Sequence, residues 1–145
     1  MSSPSLTLAG VLTHAGNTYG ARSVAAVTSI HDETVTRMDE ARRVMGDSVG
    51  HSNLMLSIGD TPACSMVEDL GSVDELRPGN FVFYDWTQHT IGACIEEEIA
   101  LAVACPVVGV YPARHEIVLY GGAVHLSKDA LGRPDGSASF GAIAP

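Results

Sequence analysis

The residues with the clearest chemical potential are Gly59, Asp60, Thr61 and Pro62, which follow the apolar run Leu54-Met55-Leu56-Ser57-Ile58. A short apolar run stopped by glycine reads as a buried strand that opens into a tight turn. Pro62 suits the first position of a following helix, where an N–H would lack a partner in any case. The amides of Gly59, Asp60 and Thr61 would then converge on one point, and such a nest accepts a phosphate. The same residues also make an ordinary strand-to-helix turn with Asp60 or Thr61 as N-cap. A lone glycine turn does not choose between the two readings.

The elements that must position this turn are legible upstream. Leu6, Leu8, Val11 and Leu12 form a mostly apolar run that ends in Thr13-His14-Ala15-Gly16-Asn17-Thr18-Tyr19-Gly20. From Ala21 to Met45, Val24, Val27, Ile30, Val35, Met38, Ala41 and Met45 recur at helical steps, and Gly46 reads as the C-cap. The first half is therefore β-loop-α-β-loop-α, which requires parallel strands joined by crossover helices. In such sheets functional groups gather at the carboxyl ends of strands, where His14, Tyr19 and the Gly59–Thr61 turn all fall. Further on, Gly79–Asp85 reads as another strand and Ile91–Glu98 as a bridge, with Glu96-Glu97-Glu98 a solvated face. Ala100–Tyr111 is a long β-prone run, Tyr111–His115 a turn and Glu116–Tyr120 a return strand, giving an antiparallel hairpin with Pro106 at an edge or bulge. Arg133-Pro134-Asp135-Gly136 is a turn signal.

Composition narrows the function classes. At 145 residues the chain has enough length for one real core. A net charge of −9 argues against nucleic acid and anionic membrane surfaces as partners. No apolar run approaches the roughly 20 residues of a membrane span. Met1-Ser2-Ser3-Pro4-Ser5 lacks the basic and apolar regions of a signal peptide and reads as a disordered lead-in. The three cysteines, Cys64, Cys94 and Cys105, have no paired spacing, so they read as small buried residues of a cytoplasmic protein. His31, His51 and His115 read as solvated or locally bonded. His89 follows a strand end, and His125, between Val124 and Leu126, reads as buried. For His14 two readings stay open: an imidazole that bonds a neighbouring loop, or a group beside a cofactor.

Four blocks, in order, resemble one family. Thr13-His14-Ala15-Gly16-Asn17-Thr18-Tyr19 is similar to the T-H-A-G-x-x-Y block of the D-threonine aldolase and D-serine dehydratase family. Gly59-Asp60-Thr61-Pro62 resembles its G-[SD]-T-P turn. Glu75-Leu76-Arg77-Pro78-Gly79-Asn80-Phe81-Val82-Phe83-Tyr84-Asp85 resembles its E-[LV]-R-P-G-N-Y-V-F-Y-D block. Gly121–Asp129 resembles a later G-x-x-A-L-S-x-D block. The resemblance runs from about Leu6 to Gly141. It implies an alanine-racemase-like fold, a (β/α)8 barrel followed by a β-rich domain, with pyridoxal 5′-phosphate (PLP) as cofactor. A complete barrel takes roughly 200 residues or more. The expected fold class is therefore α/β: the later part of a PLP-binding barrel over residues 1–90 and part of a β-rich domain over 91–145.

The resemblance implies a PLP-dependent lyase acting on a β-hydroxy-D-amino acid, of the D-threonine aldolase or D-serine dehydratase type, and a homodimer when full-length. The alternatives are an amino-acid racemase of the same architecture, or a non-catalytic fragment or oligomerisation module. Tyr19, Gly59, Asp60, Thr61 and Tyr84 are expected to bind the cofactor, with His14 the one candidate catalytic group. The family's Schiff-base lysine precedes its T-H-A-G block. Here the sole lysine is Lys128, in the late block, where a structural role is expected. The divalent-metal ligands of the family lie beyond the last block, so none is assigned in this chain. The 145 residues thus read as the middle-to-late portion of the family fold, inactive in isolation. Asp60 stands where many members have serine. A carboxylate facing a phosphate would repel it, so its side chain is expected to cap the helix instead.

Overall fold

The structure, a computed structural model, describes residues 5–122, 124–133 and 135–143. The lead-in expected over Met1–Ser5 therefore lies outside the described residues except for Ser5, as does Pro134 of the expected turn. The chain divides into two units, residues 1–99 and 100–145.

The first unit alternates strand and helix. Strand β1 (Gly10–Thr13) leads through a 3-10 turn at Gly16–Gly20 to helix α1 (Val24–Val49), then to β2 (Met55–Ile58), α2 (Thr61–Met66) and β3 (Glu75–Leu76). The three strands are parallel and lie in chain order, with Val11 opposite Leu56, Leu12 opposite Ser57 and Ser57 opposite Glu75. Neighbouring parallel strands joined by helices are what one segment of a βα barrel requires, and three of them do not close one. The unit is α/β, as expected.

Strand alternation sorts the side chains onto two faces. Val11, Leu56 and Ile58 are buried on one face against Val35 and Met38 of α1 and against Val73. The opposite face carries Leu12, 70% exposed, and the row Ser57–Glu75–Arg77. A second apolar cluster, Ala21, Val27, Ala63 and Ile91, forms where the start of α1 meets α2 and α3 (Trp86–Ile91).

Helix α1 starts where Ser23 accepts a hydrogen bond from the Ala26 amide at 3.2 Å. It runs past Gly46, the expected terminus, and stops at Gly50, which takes φ +68°. Gly46 is a buried interior residue whose carbonyl accepts from His51 N at 3.0 Å. The outgoing chain folds back so closely that a Cβ on Gly46 would lie 2.7 Å from the His51 carbonyl oxygen. Close approach, not helix termination, is what this glycine permits.

Gly79–Asp85 is not a strand. Asn80–Val82 forms a 3-10 turn, and the Asn80 carbonyl accepts from Phe83 N at 3.2 Å and Tyr84 N at 2.7 Å. Asn80 Nδ2 donates to Asp85 Oδ2 at 2.7 Å, and Asp85 Oδ1 caps α3 by accepting from Gln88 N at 2.9 Å. These short-range bonds compete with a ladder and win, which the apolar run Phe81-Val82-Phe83 alone did not reveal.

The second unit contains an antiparallel hairpin of β4 (Val107–Tyr111) and β5 (Glu116–Leu119), as expected, turned by Pro112–Arg114. The ladder shifts between Val107 and Gly109, and Tyr120 N donates to the Pro106 carbonyl at 2.8 Å, so the irregularity sits beside Pro106. Residues 100–106 are not strand, although expected to be. A two-residue antiparallel pair, β6 (Leu131–Gly132) and β7 (Ala138–Ser139), follows, and between them Gly136 N donates to the Arg133 carbonyl at 3.0 Å. His125 is exposed, not buried, its ring 6.1 Å from that of Tyr120. Among the described residues no helix is long and apolar enough to cross a membrane.

Gly46→Ala tests the close approach at the end of α1. Alanine favours helix by about 1 kcal/mol, yet the backbone oxygen in its path is expected to reverse the sign and lower stability by about 1–3 kcal/mol. Urea unfolding of the two proteins measures this, and a stabilised variant would contradict the packing.

Candidate functional site

Three segments meet at the carboxyl edge of the sheet. The first is the turn after β2. Gly59, Asp60 and Thr61 are all buried, and among the described residues none of their three amides has a hydrogen-bond acceptor. Buried backbone N–H groups are rarely left unpaired, because each costs the free energy of a lost hydrogen bond. Three in succession make a concentrated donor set.

The carboxylate of Asp60 is held on the helix side of this turn. Its Oδ1 accepts from the Ala63 amide at 2.9 Å, the N-cap bond of α2, and from the Thr18 hydroxyl at 2.8 Å. Thr18, fully buried, also reaches the Ala15 carbonyl at 2.8 Å, so one hydroxyl proton is shared between two acceptors. The expected capping role of Asp60 is what the structure contains. Thr61 Oγ1 accepts from the Asn80 amide at 3.2 Å, tying the turn to the segment after β3. Burial raises the Cys64 thiol above its usual range, and the nearby Asp60 charge adds to this while a backbone hydrogen bond at Asp60 opposes it.

The second segment follows β1. His14 Nδ1 is hydrogen-bonded to the Gly59 carbonyl. A carbonyl only accepts, so the Nδ1 proton is fixed there and Nε2 is the nitrogen left to exchange protons. His14 thus bonds the neighbouring loop, and its ring also lies 5.7 Å from that of Tyr19. The third segment follows β3. Gly59 and Arg77 pack so tightly that a Cβ on Gly59 would sit 2.5 Å from the Arg77 carbonyl oxygen. Arg77 itself donates Nε–H to Ser57 Oγ at 2.6 Å and Nη2–H to the Thr13 carbonyl at 3.0 Å.

No family model matches the chain. It is 33% identical over 131 residues to the D-serine dehydratase of Dictyostelium discoideum, an alignment that takes in 83% of this chain and 31% of that protein. It is 30% identical over 122 residues to the D-threo-3-hydroxyaspartate dehydratase of a Delftia strain, covering 84% of this chain and 32% of that one. The solved structure of the Delftia enzyme superposes with a TM-score of 0.71 at 28% identity, over 83% of this chain and 32% of that one. Over most of its own length the chain is similar to D-serine dehydratase-like, alanine-racemase-like proteins. An alanine-racemase-like protein of Idiomarina loihiensis shares the fold, with a TM-score of 0.74 at 24% identity over 90% of this chain and 38% of that one. The chain spans about a third of the length of the curated relatives it matches.

Within this dehydratase-like segment, the structure brings His14, Gly59, Asp60 and Thr61 into one bonded group. Tyr84 is not at a strand end. It follows the 3-10 turn with φ +48°, and its hydroxyl lies 3.1 Å from Ser65 Oγ of α2. Lys128 is in the second unit and exposed; its neighbours Ser127 and Asp129 bond each other. His31, expected solvated or locally bonded, is buried in α1 with Nε2 3.3 Å from the Leu70 carbonyl. His89 is on α3, 4.8 Å from the Trp86 ring, with Nδ1 3.3 Å from the Cys94 carbonyl. Among the described residues no group of three or more His, Cys, Asp or Glu side chains could hold a metal ion. Sequence reasoning missed Thr18 and Arg77. The signal for Arg77 was available: it lies two residues after Glu75, just past the end of the short strand β3, at the functional edge.

Asp60→Ala removes an N-cap and one of the two acceptors of the buried Thr18 hydroxyl, and is expected to destabilise by about 1–2 kcal/mol. Asp60→Asn keeps an acceptor in place and is expected to lose less than half of that. Thermal unfolding of both variants measures it; equal losses would contradict the capping geometry.

Proposed function

We propose that this chain is the phosphate-holding part of a PLP-dependent lyase that eliminates water from a β-hydroxy-D-amino acid. The observation that carries the reading is the run of unpaired amides at Gly59, Asp60 and Thr61. Amides in succession suit a phosphate dianion, and the residues present fit that group. The Asp60 carboxylate, bonded to Ala63 N and Thr18, is already engaged away from it. Two named relatives, dehydratases of D-serine and D-threo-3-hydroxyaspartate, favour loss of the Cβ hydroxyl over cleavage of the Cα–Cβ bond.

PLP, when bound, supplies the ring that draws electron density from Cα as a bond there breaks. The residues of this chain do the holding and the proton work. The Gly59–Thr61 amides donate to the phosphate oxygens. The Gly59 carbonyl fixes His14 through Nδ1, so Nε2 is the atom that takes or returns a proton at the mouth. Tyr19, beside His14, adds a hydroxyl to the same edge, and Tyr84, tied to Ser65, closes the α2 side.

Lys128 is not the lysine that binds the cofactor covalently in this reading. Borohydride treatment of the chain with PLP, followed by peptide mapping, is expected to leave Lys128 unmodified; a phosphopyridoxyl group there, lost in Lys128→Ala, would overturn this. In a polypeptide that also supplies the reactive lysine, D-serine is expected to give pyruvate and ammonia in equal amounts. Glycine and acetaldehyde from D-threonine, without reaction on D-serine, would place the chemistry at the Cα–Cβ bond instead. Interconversion of alanine enantiomers alone would contradict a lyase.

A further inference from the structure

Arg77, the residue after β3, is a cation whose ion-pair partner, Glu75, is only two positions before it. Its Nε lies 3.5 Å from Glu75 Oε2, with the two side chains 37% and 47% exposed, and an ion pair so open to water contributes little. The specific bonds of Arg77 run the other way, across the sheet. Nε–H donates to Ser57 Oγ on β2 at 2.6 Å, and Nη2–H donates to the backbone carbonyl of Thr13 on β1 at 3.0 Å. Ser57 Oγ in turn donates to Glu75 Oε2, so the acceptor that receives Arg77 is itself held.

The consequence lies one residue further along. Thr13 is the last residue of β1, and His14 follows it. The carbonyl gripped by Arg77 belongs to the peptide unit that carries the His14 amide, and the His14 ring is bonded to Gly59. Gly59 is pressed against the Arg77 backbone. The three strand ends therefore form a closed circuit: β3 to β1 through the guanidinium, β1 to β2 through the imidazole, and β2 to β3 through the glycine contact.

We propose that Arg77 is a positioning residue that acts through the Thr13 carbonyl to hold the His14 imidazole on the Gly59 carbonyl, and so fixes the direction of His14 Nε2 and of the donor turn. This rests on the function proposed above for its purpose, though not for its geometry. A planar fork with donors on two separate nitrogens can bridge two strands at once, whereas the single ammonium of lysine ends one stem and cannot span both acceptors.

The test is the exchange rate of the His14 Nδ1–H proton, read by NMR in the full chain, with PLP affinity measured beside it. In Arg77→Lys, with an unchanged far-ultraviolet dichroism spectrum, the Nδ1–H is expected to exchange about tenfold faster and PLP to bind about tenfold more weakly, the size of one charge-assisted bond. Millimolar methylguanidinium is expected to restore both in Arg77→Ala. Glu75→Gln, which removes the charge beside Arg77 and keeps an acceptor for Ser57, is expected to leave the His14 proton unchanged. An unaltered Nδ1–H in Arg77→Lys would overturn the proposal. Failure of every form to bind PLP would count against the proposed function alone, because the proton readout needs no cofactor. Should the Arg77 variants not fold, the unmodified chain decides: its Arg77 Nε–H is expected to be protected from exchange, and exchange at the rate of free arginine would overturn the assignment.

Discussion

The carboxyl edge depends on how closely β2 and β3 approach at Gly59. A side chain there would collide with the Arg77 backbone oxygen at 2.5 Å, so only glycine lets the strand leave the sheet in this direction. The carbonyl that results accepts His14, and the next residue, Asp60, is left where its carboxylate caps α2. Thr61 then meets the Asn80 amide, which binds the turn to the segment beyond β3. One steric requirement thus fixes four residues on three segments, and it leaves the amides of Gly59, Asp60 and Thr61 facing no protein acceptor among the described residues.

Charge is separated at this edge by hydrogen bonding. Asp60 is almost fully buried, yet its bonds come from a neutral amide and a neutral hydroxyl on the helix side. Arg77 is committed to a hydroxyl and a carbonyl on the opposite sheet face. With both side chains already hydrogen-bonded, the unpaired amides of the turn remain the donor set best suited to an anion. The apolar cluster of Ala21, Val27, Ala63 and Ile91 packs together the start of α1, α2 and the end of α3.

Much of this was legible in the residues. The run Leu54–Ile58 ending at Gly59, and Pro62 just inside a helix, specified a strand, a turn and a helix start by backbone chemistry alone. The crossover pattern specified parallel strands, and the Val107–Leu119 region its hairpin. What the residues concealed were long-range and competing local bonds. Gly46 looked like a helix end because glycine usually marks one, whereas here it makes room for His51. Phe81-Val82-Phe83 looked like a strand, but Asn80 and Asp85 bond each other and the intervening backbone into a turn. The reach of Arg77 to Thr13 crosses 64 positions in the chain, and no local pattern encodes it.

The central claim, that the Gly59–Thr61 amides receive the phosphate of the cofactor, is tested most directly by comparing PLP with pyridoxal, which has the same ring and no phosphate. The account predicts that titration with PLP moves the amide resonances of Gly59, Asp60 and Thr61 and that pyridoxal at the same concentration leaves them in place. Equal shifts with both compounds, or none with PLP, would contradict it.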